Sequence, residues 1–107
     1  LETGDDYASS VAIGDLGGDG RADIVVTHAG APGYSGSVAV YLQSPAAPGT
    51  FADPDLYLGY EGPTSVAIGD LNGDGRPDLV IADGIPAVRF QDPGNPGHFL
   101  RPVWLRY

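Results

Sequence analysis

Asp70-Leu71-Asn72-Gly73-Asp74-Gly75-Arg76-Pro77-Asp78 has an earlier copy in the same chain, Asp15-Leu16-Gly17-Gly18-Asp19-Gly20-Arg21-Ala22-Asp23. In the later copy oxygen-bearing side chains stand at positions 1, 3, 5 and 9: Asp70, Asn72, Asp74 and Asp78. Position 7 is Arg76, whose backbone carbonyl offers a further oxygen. Alternate residues of a short loop turn inward, so this spacing gathers hard donors at one point. Such a cluster suits Ca²⁺, which takes about 6–8 oxygens at roughly 2.3–2.6 Å. Gly75 at position 6 permits the left-handed turn that wraps a loop around an ion. Without a cation the carboxylates repel one another.

The earlier copy keeps Asp15, Asp19 and Asp23, the Gly20 turn and the Arg21 carbonyl, but position 3 is Gly17. It has one side-chain ligand fewer, and a water must replace it. An EF-hand needs a bidentate Glu at position 12 and a helix on each side. Here position 12 is Val26 or Ile81, and the flanks are Val-Ala-Ile-Gly before and Ile-Val-Val-Thr or Leu-Val-Ile-Ala after. Such β-branched runs, bounded by Gly and Asp, read as buried strands. Each loop therefore joins two strands of a hairpin.

The run from Val66 to Asp83 closely resembles the FG-GAP/VCBS repeat of integrin-α-like β-propellers, and Val11 to Thr27 matches the same pattern with Gly17 as its main departure. The resemblance implies an all-β fold in which each repeat is one four-stranded antiparallel blade and the Ca²⁺ loop joins its first two strands. It also implies structural rather than catalytic ions, held by Asp70, Asn72, Asp74, the Arg76 carbonyl and Asp78, and by Asp15, Asp19, the Arg21 carbonyl and Asp23.

The repeat sets the layout. Val11 matches Val66 at an offset of 55, while Val40-Tyr-Leu-Gln-Ser-Pro45 matches Val88-Arg-Phe-Gln-Asp-Pro93 at an offset of 48. Gly49-Thr-Phe51 and Gly97-His-Phe99 keep the second offset. The missing residues fall between strands two and three, in a Gly-rich connection of the kind that tolerates deletion. Blade 1 is expected over 1–59 with its loop at 15–23, and blade 2 over 60–107 with its loop at 70–78. Strands are expected near Ser10–Asp15, Asp23–Thr27, Ser37–Gln43 and Asp55–Leu58, then Ser65–Asp70, Asp78–Ala82, Ala87–Gln91 and Pro102–Arg106. The Val-Ala-Ile strands are expected to be packed on both faces and the third strand to alternate. Trp104 aligns with Tyr57 as an outer-strand packing position.

At 107 residues, with 17 Gly, 10 Pro and 42% apolar residues, the chain fits one turn-rich β domain. A net charge of −9, with five Arg and no Lys, argues against nucleic acid, which needs clustered basic residues. Cysteine is absent, so disulfides play no part. No apolar run approaches the ~18 residues of a membrane span. The sequence contains no signal peptide, and a start at Leu1 reads as processing or excision. Loops with four or fewer side-chain ligands suit the 10⁻⁴–10⁻³ M affinities of extracellular modules. That points to secretion or the cell surface.

No catalytic constellation accompanies the loops. His28 and His98 stand at unrepeated positions and read as surface residues without a nucleophile or carboxylate partner. Six of the twelve aspartates are taken by the loops, which leaves no carboxylate pair for hydrolysis. Among the aromatics, Tyr34 and Tyr60 fall in expected loops and are the candidates for contacting a glycan or protein ligand. The expected function is recognition or adhesion, not catalysis. The alternatives are an accessory or catalytic propeller of an extracellular polysaccharide-degrading enzyme, or a structural spacer. Propellers have about 4–8 blades, so two blades need partners: copies of the same chain closing a ring, or further blades of a longer one.

Overall fold

The structure, a computed structural model, describes residues 7–30 and 36–106. Its regular elements are strands: β1 (Ala8–Gly14), β2 (Asp23–His28), β3 (Gly36–Tyr41), β4 (Asp55–Tyr60), β5 (Ser65–Gly69), β6 (Asp78–Ala82), β7 (Ala87–Arg89) and β8 (Val103–Trp104). They form two antiparallel four-stranded sheets, ordered β1-β2-β3-β4 and β5-β6-β7-β8. The fold is all-β, with one meander per repeat, and the molecule measures 38 × 37 × 18 Å. A thickness of two stacked sheets follows from the ~10 Å spacing of packed faces.

Register divides the residues of each sheet between two unlike faces. In blade 1, Val11 pairs with Val26 and Ile13 with Ile24, which puts four branched side chains on one face. Ala12, paired with Val25, lies on the other face, where Val25 in turn pairs with Val40. Blade 2 repeats the division, with Val66–Ile81 and Ile68–Leu79 on its bulky face and Ala67–Val80 on its small face. The bulky face of blade 2 packs on the small face of blade 1. Val25, Val38, Val40, Val66, Leu79 and Ile81 are all buried in one core, with Ala12 and Ile68 against it. Complete burial of such a side chain is worth about 1.5–3 kcal/mol.

Aromatic residues extend this interface outward. Tyr57 meets Phe99 edge-on at 5.9 Å, and Tyr60 lies 5.9 Å from Trp104. The Arg89 guanidinium sits over both tyrosines, 4.7 Å from the Tyr57 ring and 5.5 Å from that of Tyr60. It also donates to the Leu100 carbonyl at 3.0 Å. The link between blades is fastened by Asp83, whose carboxylate accepts from Glu61 N at 3.1 Å and Gly62 N at 2.9 Å. Ser9 Oγ reaches Pro63 O at 2.7 Å from the first blade.

Several expectations are corrected. β1 is not packed on both faces by the described residues: Val11 is 60% and Ile13 70% exposed. Doubly buried instead is β3, where Ala39 on the uncovered side is shaded by Val26 and Leu56, its register partners. Tyr60 belongs to β4, paired with Gly36, and not to the loop in which it was expected. Trp104 pairs with Ala87, the counterpart of Ala39, whose own partner is Leu56. Trp104 is therefore equivalent to Leu56, not to Tyr57. The last two strands are shorter than expected: β7 ends at Arg89, and β8 begins only after Pro102, which has no N–H to give to the ladder. On the opposite outer edge, β4 carries Gly59 at φ +102°, a conformation that distorts the strand near its end.

Candidate metal centre

Both Asp/Gly loops lie between the first two strands of their blades, after Gly14 and after Gly69. Within each, one oxygen from every aspartate comes within 4.8 Å of the others: Asp15, Asp19 and Asp23 in the first loop, and Asp70, Asp74 and Asp78 in the second. Ligands on opposite sides of a Ca²⁺ ion at 2.3–2.6 Å are about 4.6–5.2 Å apart. The spacing and the all-oxygen donor set therefore fit a hard divalent cation of that size.

Backbone N–H groups prearrange the carboxylates. Asp70 accepts from Gly73 N at 2.9 Å and Gly75 N at 2.8 Å. Asp15 accepts in the same way from Gly18 N and Gly20 N, both at 2.8 Å. Gly20 and Gly75 both have φ +83°, so the turn residue needs the freedom only glycine has. Asp74 and Asp19 accept from the N–H two residues on, that of Arg76 or Arg21, each at 2.9 Å. The N–H of Arg21 holds the Asp19 carboxyl below the usual carboxylate range. Desolvation opposes that shift and the Arg21 charge adds to it. The guanidinium groups lie beside the same aspartates, Arg21–Asp19 at 3.5 Å and Arg76–Asp74 at 3.7 Å, as exposed pairs worth only ~0–1 kcal/mol. Asn72 Oδ1 turns into its loop, 3.4 Å from Asp74 N.

Position 9 differs from the rest because it is buried. Asp78 is fully buried, and its oxygens accept from Leu71 N at 2.9 Å and Gln91 N at 2.8 Å. Asp23 is 2% exposed and accepts from Leu16 N and Gln43 N, both at 2.8 Å. Each carboxylate thus ties the loop to the chain just beyond the third strand. The sequence reading missed the residue on the far side of that tie. Gln91 donates to Pro77 O at 2.8 Å and accepts from Gly97 N at 3.1 Å. Gln43 makes the equivalent bonds to Ala22 O at 2.8 Å and from Gly49 N at 3.2 Å. Their recurrence at the second repeat offset was the available signal.

Tyr60, expected in a binding loop, is 1% exposed at the end of β4, with its hydroxyl hydrogen-bonded to Arg89 Nε. Ring contacts with Arg89 and Trp104 hold it between the blades. Tyr34 lies outside the described residues. His98, expected to lack a partner, places Nδ1 3.5 Å from Asp55 of β4.

The loops, blades and register define a pair of β-propeller blades with acidic hairpin loops. A family model described as FG-GAP repeat matches residues 7–41, and one described as FG-GAP-like repeat matches 29–81. Integrin alpha-IIb of Mus musculus is 36% identical over 93 residues, a match covering 71% of this chain and 9% of that protein. No solved structure gives a significant match. The chain belongs to the FG-GAP repeat family of integrin-α-like propellers.

Proposed function

We propose that this chain is a calcium-stabilised segment of a recognition or adhesion propeller, working outside the cell or at its surface, and not an enzyme. The observation that carries the reading is the convergence of three carboxylates within 4.8 Å in each of two equivalent loops. Asp15, Asp19 and Asp23 with the Arg21 carbonyl hold one ion. Asp70, Asn72, Asp74 and Asp78 with the Arg76 carbonyl hold the other. The ion's chemistry here is charge neutralisation: it lets acidic loops lie close together, and two ions bring a net charge of −9 to −5. Further blades complete the propeller, and its loops present the surface that meets a glycan or protein ligand.

Calorimetric titration tests the metal reading. The expected result is two Ca²⁺ sites in the 10⁻⁴–10⁻³ M range, the tighter lost in Asp74→Ala and weakened in Asn72→Gly. Absence of binding, or tighter binding by Asn72→Gly, overturns it. A glycan-array and pull-down screen at millimolar Ca²⁺ then separates glycan from protein ligands. Hydrolysis of a captured polysaccharide would favour the enzyme-associated alternative instead.

A further inference from the structure

Asparagine stands at Asn72 and Asn95 alone in this chain, and the two have opposite neighbours. Asn95 precedes Pro96, whose nitrogen carries no hydrogen to give up in an attack. Asn72 precedes Gly73, the residue that crowds an attacking backbone nitrogen least. Both Asn72 and Gly73 lie exposed in the second loop, and a Cβ built at Gly73 meets nothing within 4 Å. Water reaches the pair, and no neighbouring segment blocks its rearrangement. Hydrogen bonds equip the same pair for reaction. Gly73 N donates to Asp70 Oδ1 at 2.9 Å, so a carboxylate stands where the proton of that nitrogen has to go. Asp74 N donates to Asn72 Oδ1 at 3.4 Å, the oxygen that gains charge when the amide carbon is attacked. Asp19, Asp74 and Asp83 also precede glycine, but as carboxylates they resist such attack.

We infer that Asn72 is a site of spontaneous modification, losing its side-chain amide when the loop is without a cation. Gly73 N bonds to Asn72 Cγ as its proton passes to Asp70. The Cγ–Nδ2 bond breaks, and the amide nitrogen leaves as ammonia with that proton. Water then opens the cyclic imide. Cleavage of the bond from Cγ to Gly73 N gives aspartate, and cleavage of the bond from the Asn72 backbone carbonyl carbon gives isoaspartate. The aspartate product adds a carboxylate at position 3, and ligand charge count helps set Ca²⁺ affinity. The isoaspartate product runs the backbone through its own Cβ, which breaks the alternation that turns Asp74 and the Arg76 carbonyl inward. In a loaded loop Asp70 and Asn72 Oδ1 are both committed to the cation, so neither the base nor the amide carbon is free to react. The protection rests on the proposed calcium reading, while the reactive pair does not.

Ageing the purified chain at neutral pH, with chelator or with millimolar Ca²⁺, tests it by peptide mass spectrometry and isoaspartate labelling. With chelator, the peptide holding Asn72 should gain the mass of an amide-to-acid exchange, and the peptide holding Asn95 should not. With calcium the rate should fall several-fold. Asn72→Gln, whose longer side chain closes a ring poorly, should keep its mass. Asp70→Asn should react more slowly in chelator than the native chain, with unchanged circular dichroism. An unmodified Asn72 in chelator overturns the inference. So does an undiminished rate in Asp70→Asn, which would mark a sequence liability that owes nothing to the loop's geometry. Equal rates with and without calcium overturn the protection if titration shows the ion bound, and the metal reading if it shows none, so the two failures are told apart.

Discussion

Gly17 is the residue that separates the two loops, and its surroundings allow the difference to be undone. A Cβ built there meets nothing within 4 Å, and no left-handed φ reserves the position for glycine. Gly17→Asn should therefore supply the missing oxygen and bring the first loop's Ca²⁺ affinity toward that of the second, a gain of roughly tenfold if the new ligand contributes about 1.4 kcal/mol. Titration of the variant against the native chain checks this, and an unchanged affinity would count against Asn72 as a ligand too. Tyr57 is the second residue of interest. Burial raises its hydroxyl above the ordinary value of 10.0, outweighing the Phe99 N–H that lowers it. A raised folded-state value means the contribution is fully present below pH 10 and lost as pH climbs through the folded value. Stability should fall more steeply above pH 10 in the native chain than in Tyr57→Phe, as followed by denaturant midpoints across that range.

At the scale of elements, the tightest spot is where β3 begins beside the link between blades. A Cβ at Gly36 would lie 2.4 Å from Pro63 Cδ and 2.6 Å from the His28 carbonyl. Gly36→Ala must push these segments apart, so a loss of about 1–3 kcal/mol is expected from urea unfolding. The strands themselves were legible in the sequence. The Val-Ala-Ile and Leu-Val-Ile runs carry their own β-branched signal, and the two acidic loops fix where each hairpin turns. Less legible was what depends on the neighbouring blade. Composition alone could not show that Val11 is bare while Val66 is covered, since the local sequences are nearly identical. Tyr60 read as a loop residue because Gly59 and Gly62 surround it, yet pairing with Gly36 and contact with Arg89 carry it inward. For the candidate metal centre, the clustering of the aspartates was visible in their spacing, but not the burial of Asp23 and Asp78 or their ties to Gln43 N and Gln91 N. Those ties join segments far apart in the chain.

For the whole molecule, the proposed calcium sites are expected to add to the stability that packing supplies. Saturation at 100 times Kd adds about 2.7 kcal/mol per site. At about 4–8 °C per kcal/mol for a domain near this size, chelation should lower the melting temperature by more than 10 °C. Calorimetric scans with and without chelator check that figure, and an unmoved transition would mean the loops hold their carboxylates without an ion. The outer edges pose a different problem. Leu56 and Leu58 are 59% and 66% exposed on β4, an edge strand of a chain that has no lysine to blunt it. Flat apolar edges of that kind template fibrils. Gly59 at φ +102° prevents the end of β4 from lying flat, and Pro102 stops the ladder of β8 early. Gly59→Val should cost stability by forcing a β-branched residue into that conformation. As the edge straightens to relieve the strain, thioflavin-positive aggregates should appear on prolonged incubation where the native chain stays clear. If the variant stays as clear as the native chain, the left-handed glycine is not what keeps this edge from fibril growth.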